Sequence, residues 1–439
     1  MLHEFFPEVE SPIQYEGKES DNPLAFKFYN PDQRVGDRTM AEHFRFAVAY
    51  WHTMMGDGTD MFGGPAYQRP WWEPDDPMDR ARATLRAAFE FFQKLGVDYY
   101  CFHDRDIAPE GENFAETCRN LKTIVEEAKQ LQEDTGKQLL WGTACLFADP
   151  IYTHGAASNP DAHVFAHAAA QVKNAIDVTH ELGGVNYVFW GGREGYETLL
   201  NTDYGQEQEQ LARFFHMAVD YKKKIGFGGQ FLIEPKPCEP TKHQYDHDAA
   251  TVLGFLREFD LWDDFQLNVE ANHATLAGHT FHHDLTVASA AGMLGSIDAN
   301  RGDLMLGWDT DQFPTDIYDT TYAMLIVLNQ GGLGSGGLNF DAHARRGSFD
   351  TVDLFHAHIG GMDTFARGLL VAHEMMQDEA LSKNLRERYS SYNSGIGKEI
   401  MSGTADLESL EAFILKEGMP ALKSGRQEAL ENVVNSYIL

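Results

Sequence analysis

DRARATLRAAFEFFQKLGVDYYCFHDRD (79–106) holds the fold in miniature. Ala81, Leu85, Ala88, Phe89, Phe92 and Leu95 recur at helical spacing along one face. Gly96 is placed to close that helix in a left-handed turn. VDYYCFH (97–103) follows at once as a short, unbroken apolar run, the pattern of a strand covered on both faces. It ends on polar side chains, His103 and, after it, Asp106. Outward from this unit the pattern repeats. RFAVAYW (45–51), KQLLWGTA (137–144), VNYVFW (185–190), GQFLIEP (229–235), FQLNVE (265–270), GSIDAN (295–300) and GGLNFD (336–341) read as strands. Helical patterns fall between them, around 112–135, 161–182, 205–225, 248–259, 284–294 and 315–330. In the first of these Phe114, Cys118, Leu121, Val125 and Ala128 are in register and Gly136 closes the helix. Eight strands alternating with helices predict an α/β fold, a (β/α)8 TIM barrel, whose chemistry gathers at the C-terminal ends of the strands.

Those ends carry, in order, Trp51; His103 and Asp106; Thr143; Trp190; Glu234 and Lys236; Glu270 and His273; Asp298; and Asp341. Asp309 and Asp311 follow closely in GWDTDQFP. Barrel closure sets strands five to eight side by side, so these carboxylates face one mouth. Bare, they would repel strongly. Two bound divalent metals resolve this, and an oxygen-rich set with one imidazole suits Mg²⁺ or Mn²⁺, with Co²⁺ next.

Single motifs say less. FHDRD fits a His103–Asp106 dyad, in which Asp106 fixes the tautomer, or a histidine in a polar loop. In LIEPKP, Glu234 and Lys236 share one side of an extended segment, as a metal ligand beside a substrate-polarising lysine or as an ion pair. In NVEANH, Glu270 and His273 are three apart, on one face of a helical turn. WGGREGYE (190–197) shapes a pocket or turns the chain. HTFHHD (279–284) holds a histidine cluster that looks like a metal site but reads rather as a helix start facing solvent, with no carboxylate partner at ligand spacing. GGLGSGG (331–337) lacks the ending of a phosphate-binding loop and precedes a strand.

Composition sets bounds. The chain has 439 residues, 67 acidic against 35 basic, and a net charge of −32. That field repels phosphate backbones and argues against nucleic acid as a partner. Cys101, Cys118, Cys145 and Cys238 make no CxxC spacing. The N-terminus lacks the basic and apolar regions of a signal peptide, and no run of about 18 apolar residues occurs. A soluble, cytoplasmic protein with no membrane contact is expected. A barrel needs roughly 250 residues. The remainder divides into an N-terminal arm (1–43), the barrel (44–362) and a helical C-terminal extension (363–439). The extension offers Leu381, Leu385, Ile396, Ile400, Leu407, Leu410, Phe413, Ile414 and Leu415, an apolar surface fit to cover another subunit.

In combination, FHDRD, WGTACLF, VFWGGREGYETLLNTD, LIEPKPCEPTKHQYD, NVEANHATLAGH, DANRGD, GWDTDQFP and GGLNFD resemble the xylose isomerases, in their longer-chain bacterial form, over essentially the whole sequence. The resemblance implies an aldose–ketose isomerase acting on D-xylose, and more slowly on D-glucose, with two divalent cations per subunit of a homotetramer. It implies that Glu234, Glu270, Asp298 and Asp341 hold the first cation. Glu270, His273, Asp309 and Asp311 would hold the second. His103, oriented by Asp106, would assist ring opening, and Lys236 would bond the substrate oxygen at the carbonyl carbon. Trp51, Thr143 and Trp190 would shape the pocket, with Phe62 supplied by a neighbouring subunit. Cys145 and Cys238 stand where the family usually carries an amide side chain, and His343 where a lysine is common. None of these departures removes a ligand or a catalytic group. A related metal-dependent barrel, such as a rhamnose-type isomerase or a nuclease, and a non-catalytic sugar binder are the alternatives. The acidic surface argues against the nuclease, and retention of His103, Asp106 and Lys236 argues against the binder.

Overall fold

The computed structural model describes residues 4–438. Eight parallel strands close into a barrel in sequential order: β1 (Ala47–Ala49), β2 (Tyr99–His103), β3 (Gln138–Thr143), β4 (Asn186–Trp190), β5 (Gln230–Glu234), β6 (Phe265–Glu270), β7 (Leu294–Asp298) and β8 (Leu338–Phe340). Each is followed by a surrounding helix: α1 (Pro77–Leu95), α2 (Phe114–Thr135), α3 (Ala162–Glu181), α4 (Tyr204–Ile225), α5 (Ala249–Glu258), α6 (Phe281–Ala290), α7 (Ile317–Gln330) and α8 (Thr351–Gln377). The sixth helix starts earlier than its sequence pattern suggested, because Phe281 and Leu285 are buried and set its inner face.

Helix ends follow local chemistry. Asp76, Asn113, Asp203 and Asp248 accept first-turn amides at the starts of α1, α2, α4 and α5. Gly96 and Gly136 end α1 and α2 at φ +80 and +74, a conformation other residues enter only with strain.

The main core lies between strands and helices and is rich in aromatic rings. Phe44 stacks on Phe46 at 4.5 Å, and Phe46 on Phe340 at 5.1 Å. A second cluster, from Ala47, Cys101, Leu140, Val188 and Leu232, plugs the barrel itself, with Trp51 packed against it.

The N-terminal segment is bound tightly to the barrel. Phe6 is fully buried against Trp71, Phe91 and Phe355. Glu90 accepts the amides of Phe5 and Phe6. Asp363 accepts those of Lys27, Phe28 and Tyr29 at 2.7–2.8 Å. Asp363 therefore lies mid-helix in α8, serving the barrel, and the barrel's packing runs on to Met375. Beyond Gln377 come short helices with few buried residues, although Val434 returns to pack on Val371 and Met375. Among the described residues, no helix is long and apolar enough to cross a membrane.

Candidate active site

Strand register brings the polar ends together. Glu270 pairs across to Asp298, Asp298 to Asn339, Trp190 to Glu234 and His103 to Thr143. Side-chain amides from inside the barrel then hold the carboxylates. Asn268 Nδ2 donates to Glu234 Oε2 (3.0 Å) and Asp298 Oδ2 (2.8 Å), and Asn339 Nδ2 to Asp298 Oδ1 (3.0 Å). Asn300 Nδ2 donates to Glu270 Oε1 (2.8 Å), Asp311 Oδ1 (3.1 Å) and the Asp341 carbonyl (2.8 Å).

Ligand oxygens of Glu234, Glu270, Asp298 and Asp341 lie within 4.8 Å of one another, as do those of Glu270, Asp309 and Asp311. Glu270 belongs to both groups. Two carboxylates about 4 Å apart repel by roughly 4 kcal/mol at an effective dielectric near 20. Burial first, and then these neighbours, hold the Glu234 and Glu270 carboxyls well above the usual range. The same causes raise Asp298 to about 7 and Asp311 to about 8. Asp341 moves the other way. Burial raises it, but the charge and hydrogen bond of His52, joined by the charge of His273 and the Trp51 hydrogen bond, together outweigh burial. Asp309 is likewise held low against burial by His273 and Lys236.

The donor set fits divalent cations. His273 Nδ1 is shut off from solvent without a hydrogen-bond partner. It lies 3.2 Å from Glu270 Oε2 and 3.5 Å from Glu234 Oε1, while its Nε2 is 3.5 Å from Asp309 Oδ2. An imidazole held among carboxylate oxygens, with burial keeping its pKa low, is an available ligand. His52 and Lys236 are the cations of this cluster: His52 Nε2 is 2.8 Å from Asp341 Oδ1 and 3.3 Å from Asp311 Oδ2, and Lys236 pairs with Asp309.

The carboxylates line one side of a cavity of about 180 Å³ whose other walls include Trp51, Trp141, Phe147 and Trp190. His103 faces it. Its Nδ1 is bonded to Asp106 Oδ2 at 2.8 Å, which leaves Nε2 for the cavity. Burial pulls the His103 pKa down, but the charge and hydrogen bond of Asp106 raise it further. Trp51 meets the His103 ring edge-on at 4.5 Å and donates its indole N–H to Asp341 Oδ1 at 2.9 Å. Lys236 Nζ sits 5.1 Å from the Trp190 ring.

The xylose isomerase of Geobacillus stearothermophilus is 59% identical over 429 residues, spanning 98% of this chain and 97% of that one. The chain belongs to the xylose isomerase family. The xylose isomerase of Thermotoga petrophila is 58% identical over 438 residues, 100% of this chain and 98% of that one. The XylA2 C-terminal domain model matches residues 385–438. A solved structure from Rhodospirillum rubrum, provisionally named a xylose isomerase, is similar in fold. Its TM-score is 0.52 at 14% identity, covering 73% of this chain and 98% of that one.

Most residues singled out from sequence converge here, with differences in position. Trp51 sits on a one-turn helix, Tyr50–Met55, after β1 rather than on the strand. Thr143 lines the cavity, but its hydroxyl is spent on the Val188 carbonyl at 2.6 Å. Asp298 is fully buried beneath the cavity. Phe62 is 81% exposed on its loop, against Trp308, and does not line the cavity of its own chain. The structure adds His52, Asn268, Asn300 and Phe147. It also adds Asp104, fully buried behind the dyad, where it accepts from the Cys145 amide at 2.9 Å and pairs with Arg105. His343 packs its ring 5.2 Å from His52. In WGGREGYE the glycines do turn the chain, and Glu194 locks that turn by accepting the amides of Ala156, Ala157 and Ser158.

Behind Trp190 a second cavity of about 40 Å³ holds two polar atoms without hydrogen-bond partners, Trp190 Nε1 and Asp246 Oδ1. Burial pushes the Asp246 carboxyl up to about 7, against about 3.9 in an unfolded chain. A carboxyl raised on folding keeps its proton longer in the native state. Stability is then lost as pH rises from about 4 through about 7. Asp246→Asn, uncharged throughout, is expected to gain in melting temperature over the parent as pH rises from about 4 to about 7, so that its margin is larger at pH 8 than at pH 5. A gap that stays constant from pH 5 to 8, read by calorimetry, contradicts this.

Proposed function

We propose that this chain interconverts D-xylose and D-xylulose, and D-glucose and D-fructose more slowly, with two divalent cations per subunit, Mg²⁺ first among them and Mn²⁺ or Co²⁺ as substitutes. The observation that carries the reading is the facing of two chemistries across one cavity: a His103–Asp106 dyad on one side, and two carboxylate groups sharing Glu270 on the other. Binding alone needs no such dyad.

Glu234, Glu270, Asp298 and Asp341 are the residues we assign to one cation, and Glu270, His273, Asp309 and Asp311 to the other. When bound, the cations supply Lewis acidity to the sugar oxygens at the two carbons between which hydrogen moves. The rest is work for side chains. Asp106 holds His103 with Nε2 toward the sugar, where it moves the anomeric hydroxyl proton to the ring oxygen as the bond from that oxygen to the anomeric carbon breaks. Lys236, preset by Pro235 and Pro237 on either side, donates to the oxygen of the carbonyl carbon. Trp51, Phe147 and Trp190 exclude water from the open-chain sugar.

Every carboxylate lining the cavity is one we assign to a cation, so none is left free as a proton-abstracting base. Hydrogen therefore moves as hydride. Run in deuterated water, the reaction is expected to leave the transferred position unlabelled by NMR. Substantial deuterium at the first carbon of xylulose assigns the reaction to proton transfer instead.

We further propose a cytoplasmic homotetramer in which the segment beyond the barrel covers a neighbour. Leu407, Leu415 and Met419 are 86%, 79% and 88% exposed in the single chain, and Leu304, Met305 and Phe62 are 81%, 93% and 81% exposed. This apolar surface supports burial between subunits, with Phe62 completing a neighbour's cavity. Removing residues 376–439 is expected to give a protein that dissociates or aggregates with impaired turnover. A fully active monomer by light scattering at assay concentration opposes the arrangement.

A further inference from the structure

Outside the cavity, HTFHHD departs from its expected place in solvent. Asp284 is a first-turn residue of α6 whose side chain is 5% exposed, and its Oδ1 meets His279 Nδ1 at 2.9 Å. The ring of His283 lies 4.5 Å from that of His279. The ligand atoms of His279, His283 and Asp284 all fall within 4.8 Å of one another. On the far side of the His279 ring, Nε2 faces Asp248 Oδ2, the N-cap of α5, at 3.9 Å.

We propose that His279, His283 and Asp284 form a further metal site, one for a transition ion of the Zn²⁺ class, that ties the start of α6 to the loop before it. Two imidazoles and one carboxylate make a donor set suited to Zn²⁺ and its neighbours and poor for Mg²⁺. His279 has the wiring of a metal-bound histidine. One ring nitrogen, Nδ1, points at the other ligands, and the opposite one faces the Asp248 carboxylate across 3.9 Å, a second charge on the outer side of the ring. The ring is held in place from its backbone. Gly278, at φ +79, turns the chain after Leu276, and the His279 amide donates to the Ala274 carbonyl at 3.0 Å. His283 is exposed, so the fourth position opens to water.

The helix N-termini work against a cation, but weakly. Two termini contribute about +0.5 charge each, against two full carboxylate charges from Asp248 and Asp284. The site lies a few residues past His273, on the segment joining the candidate active site to α6. A metal there would anchor that segment from outside.

The test compares the full-length protein with His283→Ala, a surface change that leaves the catalytic groups in place. Both are saturated with Zn²⁺, passed through metal-free buffer and analysed by atomic emission, and each is assayed with Mg²⁺. The expected result is one zinc fewer per chain in the variant, with Mg²⁺-supported turnover unchanged. Micromolar Zn²⁺ added over Mg²⁺ should raise the melting temperature of the parent by more than that of the variant. Equal zinc content overturns the site and leaves His279 as an ion pair between two aspartates. The readout is a difference of one ion between proteins with the same carboxylate cavity. It therefore succeeds or fails independently of how many ions that cavity binds and of what it catalyses.

Discussion

Asp309→Asn combined with Asp311→Asn is expected to cut turnover by at least about 10³-fold while the barrel stays folded. Lewis-acid polarisation by a bound cation contributes several kcal/mol to the transition state, and each 1.36 kcal/mol is tenfold in rate. The double substitution removes two of the four donors of one group and leaves Glu270 and His273 behind. It also frees Lys236 from its ion pair with Asp309, so the lysine loses its fixed position beside Trp190. Folding should survive because two opposed effects fall together. Asp309 and Asp311 raise the Glu270 carboxyl by repulsion, and that repulsion vanishes along with the attraction between Asp309 and Lys236. In metal-free buffer the variant should melt near the parent temperature, while the stabilisation gained on adding Mg²⁺ should shrink. Full turnover at ordinary metal concentration refutes the assignment of this second group.

His103→Gln should slow turnover of the cyclic sugar by about 10²–10⁴-fold, the range for a general acid–base group. The glutamine keeps an amide near Asp106 and preserves most of the packing against Trp51 and Phe147. It cannot move a proton. Affinity for the cations should be nearly unaltered, because His103 makes no hydrogen bond or ion pair with the carboxylate groups; it feels the charge of Asp341 and is linked to it by Trp51, which bonds Asp341. The loss should be smaller on sugar supplied with a larger open-chain fraction. Unaltered turnover, or loss of both cations, shows that the residue does something else.

The fold was legible because its periodicities are long and local. Eight apolar strand runs alternate with seven readable helical patterns, and glycines such as Gly96 and Gly136 sit where left-handed caps are required. The strand ends were legible for the same reason, since a parallel barrel places all of them at one rim. Partners fixed by register rather than spacing were not. Asn268 and Asn339 look like polar interruptions of apolar strands. Only the pairing of β6 with β7 and of β7 with β8 shows that their amides face Asp298. His52 is one residue past Trp51, but a one-turn helix swings it onto Asp341 and Asp311. Asp284 was adjacent in sequence to His283 and still unread, because its burial comes from α6 packing and Asp248 arrives from a different element. The passage from barrel to extension was hidden by the continuity of α8, whose Gly361 lets the helix approach Phe340 and whose Asp363 clamps the N-terminal segment.

The most direct measurement is xylulose formation from D-xylose by the purified full-length protein, first stripped by chelator and then supplied with Mg²⁺. The expected result is no conversion by the stripped protein and conversion restored by Mg²⁺. Conversion that persists after the cations have been removed, or its absence with Mg²⁺ bound and the fold intact, contradicts a metal-dependent xylose isomerase.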